Sequence, residues 1–237
     1  MPHLILVRHG QSEWNLQKRF TGWVDVDLTP KGKLEACKAG ELIKAEKIKL
    51  DYCFSSLQLR AVNTLKLILN TLRIDEEPIK AWELNERHYG TLTGLNKDEM
   101  NKKYGEKKIH EFRRSWKIRP DPLNKNNPYH PINIDTYKNV PKNKIPDTES
   151  LEDTYKRVIS YYKNNIKNKL GNKNILISAH GNSLRALCKL LFKLDEKNIS
   201  LLEIPTGNPL LINFKSNNEI SHCRYLDKER AKDLLVF

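Results

Sequence analysis

The sequence is short of the features that would place it in a membrane, outside the cell or around a metal. No apolar run in its 237 residues approaches the ~18 that a membrane-spanning helix needs, so a transmembrane protein is excluded. At the N-terminus the apolar stretch is only Leu4 to Val7, and Arg8 interrupts it before a signal-peptide core could form, which argues against secretion. Cysteine is scarce: Cys37, Cys53, Cys188 and Cys223 are scattered without CxxC spacing. They read as reduced thiols of a cytoplasmic protein, not as a zinc site or a disulfide framework. Acidic residues fall short of basic ones, 29 against 42, leaving a net charge of +13. Such a balance suits a polyanion, either nucleic acid or a small, highly phosphorylated substrate. No nucleic-acid recognition motif accompanies it, and lysine and asparagine recur in loops and helices alike. The charge therefore reads as a composition bias, with no specific nucleic-acid partner.

What is present is a normal globular balance, 38% hydrophobic and 30% charged, without internal repeats. Leu4 to Val7 is a continuous apolar run ending at Arg8-His9-Gly10, and Ile175 to Ser178 is another, ending at Ala179-His180-Gly181. Both have the pattern of a buried parallel strand. Asp51 to Ser55 reads as a third strand, followed by a helix whose apolar positions are Leu57, Ala61, Leu65, Ile68 and Leu72. Pro30 to Lys47 reads as a helix with Thr29 as N-cap and proline in its first position. Thr148 is expected to open a further helix striped by Leu151, Tyr155, Val158, Ile159 and Tyr162. Leu201 to Ile204 and Leu210 to Phe214 read as two strands joined by a turn, an antiparallel edge. Six of the 11 prolines fall between Pro120 and Pro146, so a long proline-rich loop is expected at about 118–147. Loops of this kind serve as lids or binding loops, or are disordered. Strands alternating with helices predict an α/β domain with a mostly parallel sheet, its ligands at the carboxyl ends of the strands.

Both His-Gly pairs lie at such ends. A neutral imidazole at His9 can attack phosphorus, and its ordinary pKa near ~6.5 leaves it mostly neutral in the cytosol. Arg8 offers a planar fork for phosphate oxygens, and Gly10 allows close backbone approach. His180 adds a second imidazole beside Gly181 and Asn182, at the start of a helix whose apolar face is Leu184, Leu187, Leu190 and Leu191. A lone histidine there would be read as a hydrogen-bonded core residue, and its place opposite the first strand end favours a site. Phosphoryl transfer also needs cations and a proton shuttle. Arg60, early on a helix, is a candidate cation. Glu86, in Leu84-Asn85-Glu86-Arg87-His88-Tyr89-Gly90, suits a proton shuttle and equally a solvated ion pair with Arg87.

LVRHGQSEWN, RFTGWVDVDLT, SSLQLRA, LNERHYGTLTGLNK, FRRSW, IPDTESLEDT and SAHGNSLRAL, in this order, resemble the cofactor-dependent phosphoglycerate mutases of the histidine phosphatase superfamily. The resemblance runs from about Leu4 to Leu211 and implies a three-layer α/β/α sandwich forming one catalytic domain over 1–237. It implies His9 as the phosphorylated nucleophile, Arg8, Arg60 and His180 as holders of the transferring phosphate, and Glu86 as general acid and base. Ser12, Asn15, Thr21, Gly22, Tyr89, Lys97, Arg113, Arg114, Gly181 and Asn182 are implied to bind phosphate or the glycerate skeleton. The implied cofactor is a 2,3-bisphosphoglycerate primer with no metal, the partners are small phosphorylated glycerates, and the assembly is a homodimer or homotetramer. Two departures stand out. Gln58-Leu59 replaces the family's usual Leu-Lys, read as a packing change that leaves Arg60 in place. The chain runs out at Asp233 to Phe237 without the Ala-, Gly- and Lys-rich tail of many members, so water would reach a phosphohistidine more easily.

Overall fold

The structure is a computed structural model that describes residues 2–216 and 219–231. The terminal segment Asp233 to Phe237, and the tail comparison made on it, lie outside the described residues. Six strands form one sheet: β1 (His3–Arg8), β2 (Tyr52–Ser55), β3 (Ile79–Lys80), β4 (Ile175–Ala179), β5 (Leu210–Phe214) and β6 (Ile220–Tyr225). Their order is β3-β2-β4-β1-β5-β6. β3, β2, β4 and β1 run parallel, while β5 pairs antiparallel with both β1 and β6.

The two apolar runs seen in the sequence are neighbours. Val7 stands opposite Ser178 and Arg8 opposite Ala179, and the His9 amide extends the pairing by donating to the Ala179 carbonyl at 3.0 Å. β1 is apolar throughout because both its faces are covered. Leu4 and Leu6 join a core with residues of α6 (Leu151–Tyr161) and α7 (Gly181–Leu191). Ile5 and Val7 join a separate core with residues of α2 (Pro30–Ala45) and α3 (Leu59–Leu72). The result is the expected α/β/α layering, with His9 and His180 just past adjacent strand ends.

Local chemistry sets the helix boundaries. Thr29 caps α2 by accepting the Gly32 amide at 3.1 Å. α6 begins later than expected, because Ser150 and Asp153 form a reciprocal capping box. Thr148 instead donates its hydroxyl to the Pro120 carbonyl at 2.7 Å. The expected strand at Leu201 to Ile204 is not one: Glu196–Leu201 is a short helix, α8, capped by Asp195. The antiparallel partner of β5 is β6, farther along the chain. Leu201 closes α8, and Leu202 to Ile204 run on as irregular chain, because the Asp195 cap draws the preceding residues into a helical turn that ends before Leu202.

Gly10 leaves β1 against the first turn of α2, where a Cβ would run into the Gly32 carbonyl. Its amide donates to Thr64 Oγ1 at 3.0 Å, and Thr64 in turn donates to the Arg60 carbonyl at 2.7 Å. The strand end is thereby fixed to two helices at once. Gly10→Ala is expected to cost about 1–3 kcal/mol through overpacking, read as a lowered urea midpoint. A midpoint equal to wild type would contradict the tight strand-to-helix contact.

Candidate active site

A cavity of about 260 Å³ opens at the carboxyl ends of β1 and β4. Arg8, His9, Asn15, Thr21, Gly22, Arg60, Glu86, Tyr89, Lys97, Arg113, Arg114, Gly181 and Asn182 line it, joined by Arg185, Glu203 and Ile204. All the candidates named from the sequence are therefore in its wall except Ser12 and His180. Ser12 is fully buried and caps α1 (Glu13–Leu16): its hydroxyl accepts the Asn15 amide at 3.3 Å while Asn15 Oδ1 accepts the Ser12 amide at 3.2 Å. His180 lies behind the wall, its ring centroid 5.0 Å from that of His9.

His9 Nδ1 is 2.7 Å from the Gly10 carbonyl. A carbonyl only accepts, so Nδ1 carries the proton and Nε2 is left as the ring's basic nitrogen. Burial, then the charges of Arg60 and Arg8, hold His9 well below its ordinary pKa, against a smaller opposing effect of the Gly10 bond. The same causes, burial first and Arg60 next, hold His180 neutral. Ser56 Oγ lies 2.8 Å from His180 Nε2 and accepts the Gln58 amide at 3.2 Å. The other ring nitrogen, Nδ1, has no partner among the described residues.

Arg60 is aimed by backbone. In the second position of α3, it donates to the carbonyls of Val24 and Gly22, both at 2.9 Å. Gly22 takes a left-handed φ of 54°, and a Cβ there would crowd the Tyr89 amide. Arg8 donates to the Ile204 carbonyl at 2.9 Å, and its Nε is buried without a partner among the described residues. Lys97 occupies the first turn of α4 (Lys97–Tyr104), where the helix dipole disfavours a cation. Burial lowers its pKa further, helped by Arg113 and Arg8 and opposed by Tyr89. A lysine tolerated there is placed for the cavity and not for the helix.

Glu86 is 8% exposed. One of its oxygens accepts the amides of Arg87 at 2.8 Å and Asn182 at 3.1 Å. The alternative of an ion pair with Arg87 is not what forms: the Arg87 guanidinium donates to the Phe112 carbonyl and lies over the Tyr89 ring. Two features hold the Glu86 backbone. Gln58 is fully buried; its Oε1 accepts the Glu86 amide at 2.9 Å, and its Nε2 donates to the Gly22 carbonyl at 2.9 Å and to Tyr137 at 3.2 Å. The residue read as a packing change is thus a polar tie between three segments of the site. Arg157 donates to the carbonyls of Glu83 at 2.6 Å, Asn85 at 2.8 Å and Glu86 at 2.9 Å. Glu149 neutralises it through a pair of bonds at 2.7 and 2.9 Å and also accepts the His88 amide at 2.8 Å.

The proline-rich loop contributes no cavity residue among those described. It braces the site from behind: Tyr137 packs on Trp23 with centroids 4.9 Å apart and donates to its carbonyl, and Thr136 donates to Asp25 at 2.6 Å. Arg185, Glu203 and Ile204 escaped the sequence reading. Arg185 lies three positions after Asn182 on α7 and so shares its face; a lone arginine in a leucine-rich stripe was the available signal. Glu203 carried none, since only the fold brings it to Arg114. Among the described residues no group of three or more His, Cys, Asp or Glu could hold a metal ion, and no helix is long and apolar enough to cross a membrane.

The sequence profile of the histidine phosphatase superfamily (branch 1) matches residues 4–130 and 124–223. A 2,3-bisphosphoglycerate-dependent phosphoglycerate mutase of Pelagibacter ubique is 73% identical over 238 residues, covering 100% of both chains. Another, of Maricaulis maris, is 46% identical over 237 residues, covering 99% of this chain and 98% of its own. Among solved structures, Bacillus stearothermophilus YhfR matches with a TM-score of 0.69 at 22% identity, over 95% of this chain and 96% of that one, a likeness of fold.

Two outcomes are expected from this geometry. Glu149→Gln strands the buried Arg157 charge and should cost about 3 kcal/mol; a loss under about 1 kcal/mol in chemical denaturation would show that the pair is not needed. The second concerns pH. His9, His180 and His88 stay neutral when folded, His88 being pulled to about 3 by burial and the nearby His130. Unfolded, each takes a proton near ~6.5, so the unfolded state binds more protons as pH falls. Their effect is absent at higher pH and becomes a penalty of about 1.4 kcal/mol per pH unit per imidazole below ~6.5. Denaturation curves between about pH 7.5 and about pH 5 should show this slope, reduced in His180→Gln. A flat wild-type profile would contradict the neutral imidazoles.

Proposed function

This chain belongs to the histidine phosphatase superfamily, and we propose that it interconverts 3-phosphoglycerate and 2-phosphoglycerate, the mutase step of glycolysis and gluconeogenesis. The carrying observation is the charge of the cavity wall: six cationic side chains against two carboxylates, an excess of four positive charges, gathered around a neutral His9. A bisphosphorylated glycerate brings roughly −5, counting each phosphate near −2 and the carboxylate as −1. A monophosphorylated glycerate facing a phosphohistidine brings the same total. The cavity therefore meets a nearly constant negative charge through the exchange, as a mutase site should.

In this reading His9 Nε2 attacks the phosphorus of the bisphosphate. The new P–N bond forms as the P–O bond to the glycerate breaks, and Glu86 gives its proton to the leaving oxygen. Arg8 and Arg60 hold the equatorial oxygens, with His180 Nδ1 as a donor from the buried side. The cycle then runs from that phosphohistidine: the P–N bond breaks as phosphate passes to the free 2-hydroxyl of 3-phosphoglycerate, whose proton Glu86 takes. His9 next attacks the 3-phosphate of the bisphosphate so formed, which releases 2-phosphoglycerate. Asn15, Thr21, Gly22, Tyr89, Lys97, Arg113, Arg114, Gly181 and Asn182 hold the rest of the ligand, and Ser12 acts by fixing Asn15. The primer is 2,3-bisphosphoglycerate, on which the relatives from Pelagibacter ubique and Maricaulis maris depend by name. It recharges any His9 that loses its phosphate to water. We read residues 1–237 as one cytoplasmic catalytic domain that works without a metal, on small phosphorylated acids and not on nucleic acid. The family resemblance supports a homodimer or homotetramer.

The test is a coupled assay of 3-phosphoglycerate turnover with and without primer and with excess chelator. Primer-dependent, chelator-resistant isomerisation is expected, abolished in His9→Ala and lowered at least about 100-fold in Glu86→Gln, the lower range for losing a general acid and base. Hydrolysis of the bisphosphate without isomerisation would overturn the mutase reading.

A further inference from the structure

The cavity wall carries its positive charge in two places. Around His9 the strongest charges are those of Arg60 and Arg8, and Arg60 is also the strongest around His180. Around Arg185 they are those of Arg114 and Arg87, followed by Tyr89 and Glu86. The fold builds this second group deliberately close. Arg185 donates to the Ile199 carbonyl and Arg114 to the Leu202 carbonyl at 3.3 Å, so the C-terminal end of α8 holds both guanidiniums. A helix C-terminus favours cations, which lowers the cost of setting two of them together.

Arg185 is 3% exposed, yet it lines the cavity, and its Nε has no partner among the described residues. Arg87 is fully buried with both Nε and Nη1 lacking partners among the described residues. Among the described residues only Glu203, on Arg114, forms an ion pair within this group. Buried guanidiniums with spare donors and too little countercharge are costly when empty and become favourable when an anion arrives. Arg185 also sets a polar side chain. It donates to Asn182 Oδ1 at 2.9 Å, which turns Asn182 Nδ2 to Tyr89 Oη at 3.0 Å, while the Asn182 amide donates to Glu86.

We propose that Arg185 is a specificity-determining residue: with Arg114 in the cavity wall it forms a second cationic pole that holds the anionic group of the substrate that is not being transferred, and it fixes the orientation of Asn182 beside it. Arg87 does not line the cavity, and its buried charge adds to the field of this pole. The pole selects ligands with two separated anionic groups over a lone phosphate, which the His9 pole alone can hold. This rests on the reading of the cavity as a phosphoglycerate site, and it names what makes that site demand a second charge.

Calorimetric binding of 2,3-bisphosphoglycerate and of orthophosphate, measured on the wild type, Arg185→Gln and Arg185→Lys, tests it without requiring turnover. Arg185→Gln is expected to weaken bisphosphoglycerate at least tenfold more than orthophosphate, and to raise KM for 3-phosphoglycerate by more than it lowers kcat. Arg185→Lys keeps the charge but loses the fork to Asn182 and Ile199, so its selectivity should fall only twofold to fivefold. If Arg185→Gln does not fold, the lysine variant decides: lowered selectivity supports the pole, unchanged selectivity overturns it. Equal weakening of both ligands, or lower kcat with unchanged KM, would make Arg185 a structural residue and overturn the proposal. Failure of the wild type to isomerise 3-phosphoglycerate would instead count against the mutase reading and leave the binding ratio as the judge of this one.

Discussion

Burying guanidinium groups around a neutral imidazole is the constraint that organises this molecule. Arg60, Arg87 and Arg185 are almost inaccessible to water, and unpaired charges in such surroundings cost several kcal/mol each. The fold answers with backbone carbonyls aimed inward. Gly22 and Val24 serve Arg60, Ile204 serves Arg8, and Ile199 and Leu202 serve Arg185 and Arg114. These acceptors lie in loops and at a helix end, where carbonyls are free of ladder and helix bonds. They reduce the cost of burial without neutralising the charge, so the remaining positive field is available to an anion. Burial first, and this field after it, keep His9 unprotonated and hence able to act as a nucleophile.

A second layer keeps the first in register. Arg157 and Glu149 form a nearly fully buried pair that holds the Glu83 to His88 backbone by four hydrogen bonds to protein main chain. Gln58 ties that backbone to Gly22, and the proline-rich loop presses Tyr137 onto Trp23 beside it. Arg157, Glu149, Gln58, Tyr137 and Trp23 do not line the cavity, yet together they set the positions of Glu86 and Gly22, which do. Positioning matters because phosphoryl transfer rests on geometry and charge more than on covalent chemistry supplied by the protein. The two cationic poles then divide the labour, one at the reacting phosphate and the other at the end of the ligand that stays.

Much of this was legible in the chain. The two apolar runs ending in His-Gly, the Thr29 cap and the leucine stripe of α7 each carry their own local physics, and the structure has them where periodicity put them. The errors have equally local causes. Leu201 to Ile204 is too short for periodicity to identify its structure: the helix capped by Asp195 ends at Leu201, and Leu202 to Ile204 continue as irregular chain. Thr148 and Ser150 are both plausible caps, and only Ser150 has Asp153 three residues on. The prolines of the long loop left a lid, a binding loop and a disordered insertion all open, because whether it covers or braces a site depends on what Tyr137 meets, which lies more than a hundred residues away at Trp23.

The sequence by itself determined the chemistry on offer: a nucleophile that can stay neutral, arginines for phosphate, a carboxylate for protons, and strands and helices to carry them, because residue type, local period and ordered motifs act over short stretches of chain. Only the tertiary structure decided which of them meet. That Glu86 accepts the Asn182 amide and leaves the Arg87 guanidinium to the Phe112 carbonyl, that Gln58 is a polar tie, that His180 stands behind His9, and that Arg185 joins Arg114 at the end of α8 are all contacts between distant segments. They are set by how the layers pack and by the requirement that buried charges and amides find partners, which no local pattern in the chain records.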